Sequence, residues 1–356
     1  MKVKILAALL ILSACAPKIG DLNLYQKQFA SKTKYMPSAE ILAGKPAKIV
    51  VFKLEENNNQ TAIQAALGDS MAGAIETILG KNKLGQIVDR KAAEKLKQEI
   101  ALAEMNKTGS YKGPDIADYA ISGSISNAGF TKKYVGASAC FDPLSKSMKP
   151  VPARYEYTSE VAGNLKVYEL PSLAVVQSFD LDGYVQRKEN VQRDGAVEVG
   201  AISFSGKAAA AADHDEALVR KAGEDAVKNN EVDIKNFFGK TGYIMEKRSF
   251  EKNTIFKINL GATDGIKHGD KFEVTGQFES QNALTNQAEI EKRVITEGVV
   301  SEIIDPQTAW VIIKDEKKAN EVRLGDVVRM KYKKGFFSIK ATRNLSMAAG
   351  SICGAN

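Results

Sequence analysis

The sequence predicts an α+β protein in two parts, a mixed sheet with packed helices followed by a small β-barrel. Three observations carry this expectation. Residues 47–230 alternate strand-like and helix-like runs, the texture changes after Gly239 to short strands between turn residues, and the composition is that of a globular chain. Of 356 residues 44% are hydrophobic and 26% charged, with 28 Gly and 9 Pro, which excludes a disordered, collagen-like or disulfide-scaffold protein. Such a length holds two or three domains, each able to bury a core. The formal charge of +7 is spread along the chain. Together with export it argues against a nucleic-acid partner.

Met1–Lys4 is basic and the apolar run that follows is far too short to span a bilayer, so residues 1–14 read as a secretory signal. Leu12-Ser13-Ala14-Cys15 resembles the bacterial lipobox, in which small residues fit the peptidase and the thiol accepts diacylglycerol. Cys15 is then the acylated first residue. Two or three acyl chains, at roughly 0.8 kcal/mol per buried CH₂, anchor a protein firmly. Ala16 stands where an inner-membrane retention Asp is expected, which favours the periplasmic face of the outer membrane. Residues 15–46 mix Pro, Gly, Lys and Ser without a period and read as lipidated N-terminus and tether. Cys140 and Cys353 remain in an oxidising compartment. They either pair as a disulfide or sit apart as small apolar residues.

The α+β domain spans 47–238. Ala47–Leu54 is a β-branched apolar run and reads as a strand. Thr61 with Gln64 forms a capping-box signature, apolar positions recur to Leu79, and Gly80 stands at the C-cap position, which predicts one amphipathic helix over 61–79. Its Met71 and Leu79 stripe reads as core rather than as a partner groove. Leu84–Asp89 is a strand, and Ala92, Leu96, Ile100 and Ala103 mark a second helix. Asp118–Ile125 alternates as a half-buried strand does. Arg154–Leu170 and Ser172–Gln186 form a hairpin, and Asp213 with Glu216 caps a helix to about residue 229.

The barrel domain spans 250–333, with strands at Thr254–Leu260, Asp270–Thr275, Val294–Ile304, Ala309–Ile313 and Val327–Tyr332. Gly269-Asp270 and Gly325-Asp326 both directly precede strands; the Gly permits a tight turn and the Asp is expected to bond the following amides. Residues 334–356 read as a loose tail.

No catalytic motif stands out: there is no glycine-rich phosphate loop, no paired-Cys spacing and no nucleophile elbow, and the chain has 2 His. Asp213-His214-Asp215-Glu216 contains metal-ligand types, yet four consecutive residues at a helix start diverge, and capping explains Asp213 and Glu216. His268 sits in a turn without an evident partner, and Asn57-Asn58-Asn59 reads as solvated loop. The expectation is a protein without cofactor, metal or enzymatic activity.

Lys48-Ile-Val-Val-Phe52, the helix at 61–79, Ile87-Val-Asp-Arg90, Tyr119–Ile125 and Val161–Tyr168 resemble the curli secretion-channel lipoprotein family (CsgG-like) over residues 47–230. The fold is shared by lipoprotein activators of penicillin-binding proteins. The resemblance implies an anticodon-binding-like α+β layer, side-by-side homo-oligomers, and two membrane-inserted hairpins per subunit, corresponding to 126–160 and 184–212. Two departures tell against a curli-type pore. The loop Glu55–Gln60 has no aromatic residue to narrow a channel, and Arg187, Lys188, Glu189, Arg193 and Asp194 put charge on both sides of a strand. Leu260–Ile266 and Gly269–Val274 look like the small C-terminal β domain of a flagellar ring protein (FlgT-like), implying an SH3-like barrel. Together these imply an outer-membrane lipoprotein that assembles or scaffolds an envelope machine alongside other envelope-complex proteins. An export pore and an activator of a cell-wall synthase are the alternatives.

Overall fold

The computed structural model describes residues 16–38, 42, 46–89, 117–142, 146–170, 172–191, 197–199, 202–204, 214–281 and 287–334. Cys15, the helix expected at 92–103, Asp213 and Cys353 lie outside them. The chain divides into a mixed-sheet unit, Pro46–Phe238 with Lys333–Asn356, and a barrel unit, Met1–Lys45 with Gly239–Tyr332. The first strand, β1 (Gln26–Lys27), belongs to the barrel unit.

The mixed-sheet unit opens with β2 (Lys48–Val51), helices α1 (Gln60–Gln64) and α2 (Leu67–Lys81), β3 (Gln86–Ile87) and β4 (Tyr119–Val135). A small hairpin β5 (Ser138–Asp142) and β6 (Ser147–Val151) follows, then the long hairpin β7 (Arg154–Glu169) and β8 (Ala174–Asn190). The short pair β9 (Val197–Val199) and β10 (Ile202–Phe204) leads to helices α3 (Glu216–Asn229) and α4 (Glu231–Phe237). The sheet order is β3-β2-β4-β7-β8, with β2 parallel to both neighbours and β4, β7 and β8 antiparallel.

Helices α2 and α3 cover one face of this sheet, burying Leu67, Met71, Ile75 and Leu79 from one and Val219, Ala222, Ala226 and Val227 from the other. The Met71 and Leu79 stripe is therefore core. Helix α3 crosses β8 at Gly183, where an added Cβ would strike the backbone of Ala222 and Ala226. Val50, Phe52, Ala117 and Ala120 form a smaller core with Tyr168, Leu170 and Leu173.

Two helix starts differ from the sequence reading. The expected single helix over 61–79 is broken at Ala66, which is left-handed at φ 47°. Asn59, rather than a Thr61–Gln64 box, caps α1 by accepting the Ala62 amide at 3.0 Å. The interruption lets the first turn of α2 bond the chain after β2: Leu54 N donates to Gly68 O at 3.4 Å and Gly68 N to Glu56 Oε1 at 3.0 Å. At α3 the cap is Asp215, which accepts the Leu218 amide at 3.0 Å.

In the barrel unit β11 (Thr241–Phe250), β12 (Asn253–Ile258), β13 (Lys271–Gln281), β14 (Ala288–Ile304), β15 (Ala309–Ile313), helix α5 (Glu316–Glu321) and β16 (Val327–Lys331) follow in order. The strands pair as β11-β12-β15-β14-β13-β16, and β11 pairs with β16 to close the ring. The barrel thus has six strands, one more than the five expected, and starts at Thr241 rather than at 250. Phe256, Phe272, Val274, Val300, Val311 and Val328 fill it.

Residues 16–36, expected to be a free tether, are part of this unit. Ile19 and Tyr25 are buried with Ile255, Trp310 and Ile312 in a cluster of their own, to which Leu22 and Phe250 add. Strand β1 pairs with β11, and Gln28 N donates to Lys247 O at 3.0 Å. Further on, Thr33 N donates to Leu324 O and Leu324 N to Ser31 O, both at 2.9 Å. Apolar residues at 19, 22 and 25, spaced as one turn-containing strap needs them, supply the burial that a Pro- and Gly-rich tether lacks.

Candidate functional site

Two surfaces stand out among the described residues. Among those residues no group of three His, Cys, Asp or Glu could hold a metal ion. His214 stacks edge-on against Phe130 with centroids 5.8 Å apart, and its neighbour Asp215 caps α3 while pairing with Arg187 at 2.8 Å. A groove of about 640 Å³ between α2 and α3 is lined by polar and apolar groups alike, among them Asp69, Ser70, Ala74, Ile78, Glu224 and Val227. Ser70 Oγ donates to Glu224 there at 3.2 Å.

The first surface is the ribbon formed by the distal parts of β4, β7 and β8. A bulge between Ile125 and Asn127 moves the next even-numbered residues of β4 onto the helix-facing side. Register then aligns Phe130, Lys132 and Tyr134 with Ser159, Tyr157 and Tyr155 of β7, and Tyr157 with Arg187 of β8. Ring centroids are 6.0 Å apart for Phe130–Tyr157, 6.2 Å for Tyr155–Tyr157 and 5.4 Å for Tyr134–Tyr155. The Arg187 guanidinium lies 5.1 Å from the Tyr157 centroid. The opposite side is polar, with Thr131, Lys133, Glu156, Thr158, Gln186 and Lys188 in register. Residues 131–134 and 186–190 are exposed. Neither side of the ribbon is an apolar band.

The loop Glu55–Gln60 is fastened to this ribbon rather than merely solvated. Asn57 and Asn59 donate from their side-chain amides to the carbonyls of Ile125 and Ala128, both at 3.2 Å. Asn57 and Asn58 take left-handed φ values of 45° and 59°, which Asn tolerates better than most residues. Cys140 lies on β5 opposite Lys149 and is disulfide-bonded.

The second surface is the barrel with its strap. The two Gly-Asp turns have one geometry: Gly269 and Gly325 have φ of 88° and 85°, and Asp270 and Asp326 accept the amides of Lys267 and Arg323 at 2.7 and 2.8 Å. Each Asp therefore ties back to the residue three before it, not to the amides that follow as the sequence suggested. Burial pushes both carboxyls up, against those bonds and the neighbouring cations. The turns lie at opposite ends of the barrel, because β13 and β16 are antiparallel neighbours.

At the β13 end the strap begins. Ala16 lies against Gly269, whose added Cβ would sit 3.3 Å from the Ala16 methyl, and the His268 ring faces the Pro17 carbonyl at 3.3 Å. Glu302 receives the Ile19 amide at 3.0 Å and the Gly20 amide at 2.7 Å. Partial burial works to raise this carboxyl, but the amide bonds of Gly20 and Ile19 outweigh it and hold Glu302 below the usual glutamate range. The other end of the strap is held by Lys34 and Tyr35, which bond Glu279 at 2.8 and 3.2 Å. None of these strap partners was legible as a site beforehand; His268, read as lacking a partner, has one in Pro17.

A protein-family model described as the C-terminal domain of flagellar assembly protein T matches residues 253–330. This range covers β12 to β16 almost completely and omits β11, the strand that closes the ring. The chain has no match among curated proteins.

Proposed function

We propose that this protein is a non-enzymatic outer-membrane lipoprotein that assembles or scaffolds a cell-envelope machine, a flagellar ring or an associated secretion apparatus. The observation that carries the proposal is the match of residues 253–330 to a flagellar assembly domain. The lipobox-like Leu12-Ser13-Ala14-Cys15 supplies the membrane attachment through an acylated Cys15. The mixed-sheet unit, read as CsgG-like, supplies lateral contacts between copies in a homo-oligomer. Deleting the gene should abolish motility and remove density from the basal-body rings, and a tagged copy should co-purify with those rings. Motile cells with unaltered rings would overturn the proposal.

An export pore draws support from strand length, since β4, β7 and β8 are 17, 16 and 17 residues long and a membrane strand needs about 9–11. Against it, each outward Lys or Arg near the bilayer midplane costs about 2–4 kcal/mol, and both sides of the ribbon are charged. Purified protein is therefore expected to give no large single-channel openings in planar bilayers. An activator that reaches a cell-wall synthase needs a long free tether, whereas residues 16–36 are bound to the barrel.

A further inference from the structure

We infer that the barrel is held directly against the phospholipid headgroups, with the Lys267–Asp270 turn and the start of the strap as its membrane-facing end; this rests on the acylation of Cys15 proposed above. A lipoprotein usually hangs from its lipid by a flexible segment, and composition alone places such a segment at 16–45. Here the slack is absent from the first residues onward. Ala16 packs on Gly269, Pro17 meets His268, and Glu302 receives the amides of Ile19 and Gly20. The Ile19 side chain is 8% exposed. Consecutive Cα atoms are about 3.8 Å apart, so an acylated residue 15 starts within one peptide unit of the barrel surface. The glyceryl group cannot enter the bilayer unless this end of the barrel arrives at the headgroup layer with it.

The chemistry of that end suits the position. Lys18, Lys267, His268 and Lys271 are exposed there, and basic groups within about 10 Å of an anionic lipid surface are attracted to it. Carboxylates share this end: Glu302 receives two strap amides, and exposed Asp305 receives the Thr308 hydroxyl at 3.0 Å. The opposite end, with the Arg323–Asp326 turn and α5, also carries exposed lysines, Lys314, Lys317 and Lys318, beside Asp315, Glu316 and Glu321, so it is the docking of the strap start that selects the membrane-facing end.

The test uses the full acylated protein in its own membrane. The photoreactive residue p-benzoylphenylalanine is placed at Lys267 or at Glu321, and phospholipid adducts are counted after irradiation. We expect several-fold more adduct at 267 than at 321. A flexible insert of about 12 Gly and Ser residues between Cys15 and Ala16, with a reach of roughly 20 Å, should bring the 267 signal down to the 321 level while membrane sedimentation stays complete. Equal adducts at the two positions in an acylated protein, or no effect of the insert, would overturn the headgroup contact and leave the lipoprotein reading intact. An N-terminus without acyl groups by mass spectrometry overturns both.

Discussion

The two units solve the problem of sheet edges in opposite ways. In the barrel unit the pairing of Thr241–Tyr243 with Val327–Arg329 closes the ring of six strands, and only the outer parts of β13 and β14, which pair solely with each other, extend beyond it. In the mixed-sheet unit the sheet ends, among the described residues, on β8, a strand of 17 residues that pairs there with β7 alone, and Val175 and Val176 are exposed on it. Charged residues at its distal half, among them Arg187, Lys188 and Glu189, are the usual guard against indiscriminate strand addition. The difference teaches that the barrel ring closes on itself, whereas the mixed sheet, among the described residues, ends on a long strand guarded by charge.

The comparison can be broken by asking whether each unit fails alone. The largest effect is expected from Phe256→Ala, which empties the centre of the barrel core; the loss should be about 3–5 kcal/mol and confined to the barrel. Trp310 is the only Trp of the chain and is buried in the barrel unit, so its fluorescence follows that unit's unfolding, while far-ultraviolet helix signal follows α2 and α3. A concerted shift of both signals would show that the units do not unfold independently. Gly183→Val should act in the other direction, lowering the helix transition by about 1–3 kcal/mol through overpacking and leaving the Trp310 transition in place. A smaller effect is expected from pH. Glu302 has its folded-state pKa depressed by the strap amides, so its contribution is full above the ordinary glutamate range and is lost as pH falls through the depressed value. Hydrogen exchange at Ile19 and Gly20 should therefore accelerate in mild acid before the barrel itself unfolds, and Glu302→Gln should show faster exchange already at neutral pH with a flatter pH response. Exchange unchanged by the substitution would mean that burial of Ile19 and Tyr25 alone holds the strap.

Much of the barrel was legible because Gly-Asp turns mark the starts of two of its strands and apolar residues alternate within the ring; β13 and β14, read as ending at Thr275 and starting at Val294, run on to Gln281 and back to Ala288 because their outer parts are largely exposed or half-buried. The exception is instructive. Strand β11 was missed because a bulge between Ile244 and Glu246 breaks its alternation and because a buried position is taken by Lys247. That ammonium donates to Ala319 O at 3.4 Å and Asn320 Oδ1 at 3.0 Å, and burial lowers its pKa. A period-2 reading treats such a lysine as surface. The same limit cut β4 short at Ile125, where another bulge swaps the buried side. Helix α5 escaped because Ala319 is its single buried residue, too little for a period to register. The strap was illegible for a different reason: the partners of Ile19, Tyr25 and Lys34 lie more than 200 residues away, and nothing local announces them.

That separation sets an order of events during biogenesis. Glu302 is 283 residues from Ile19 in the chain, and the bonds of Ser31 and Thr33 wait for Leu324. Residues 19–33 are thus made long before the partners that hold them. Contacts of such long range form slowly, so docking of the strap is expected to be a late event in folding. Docking of the strap is in this sense a record that the chain has been made at least as far as Leu324.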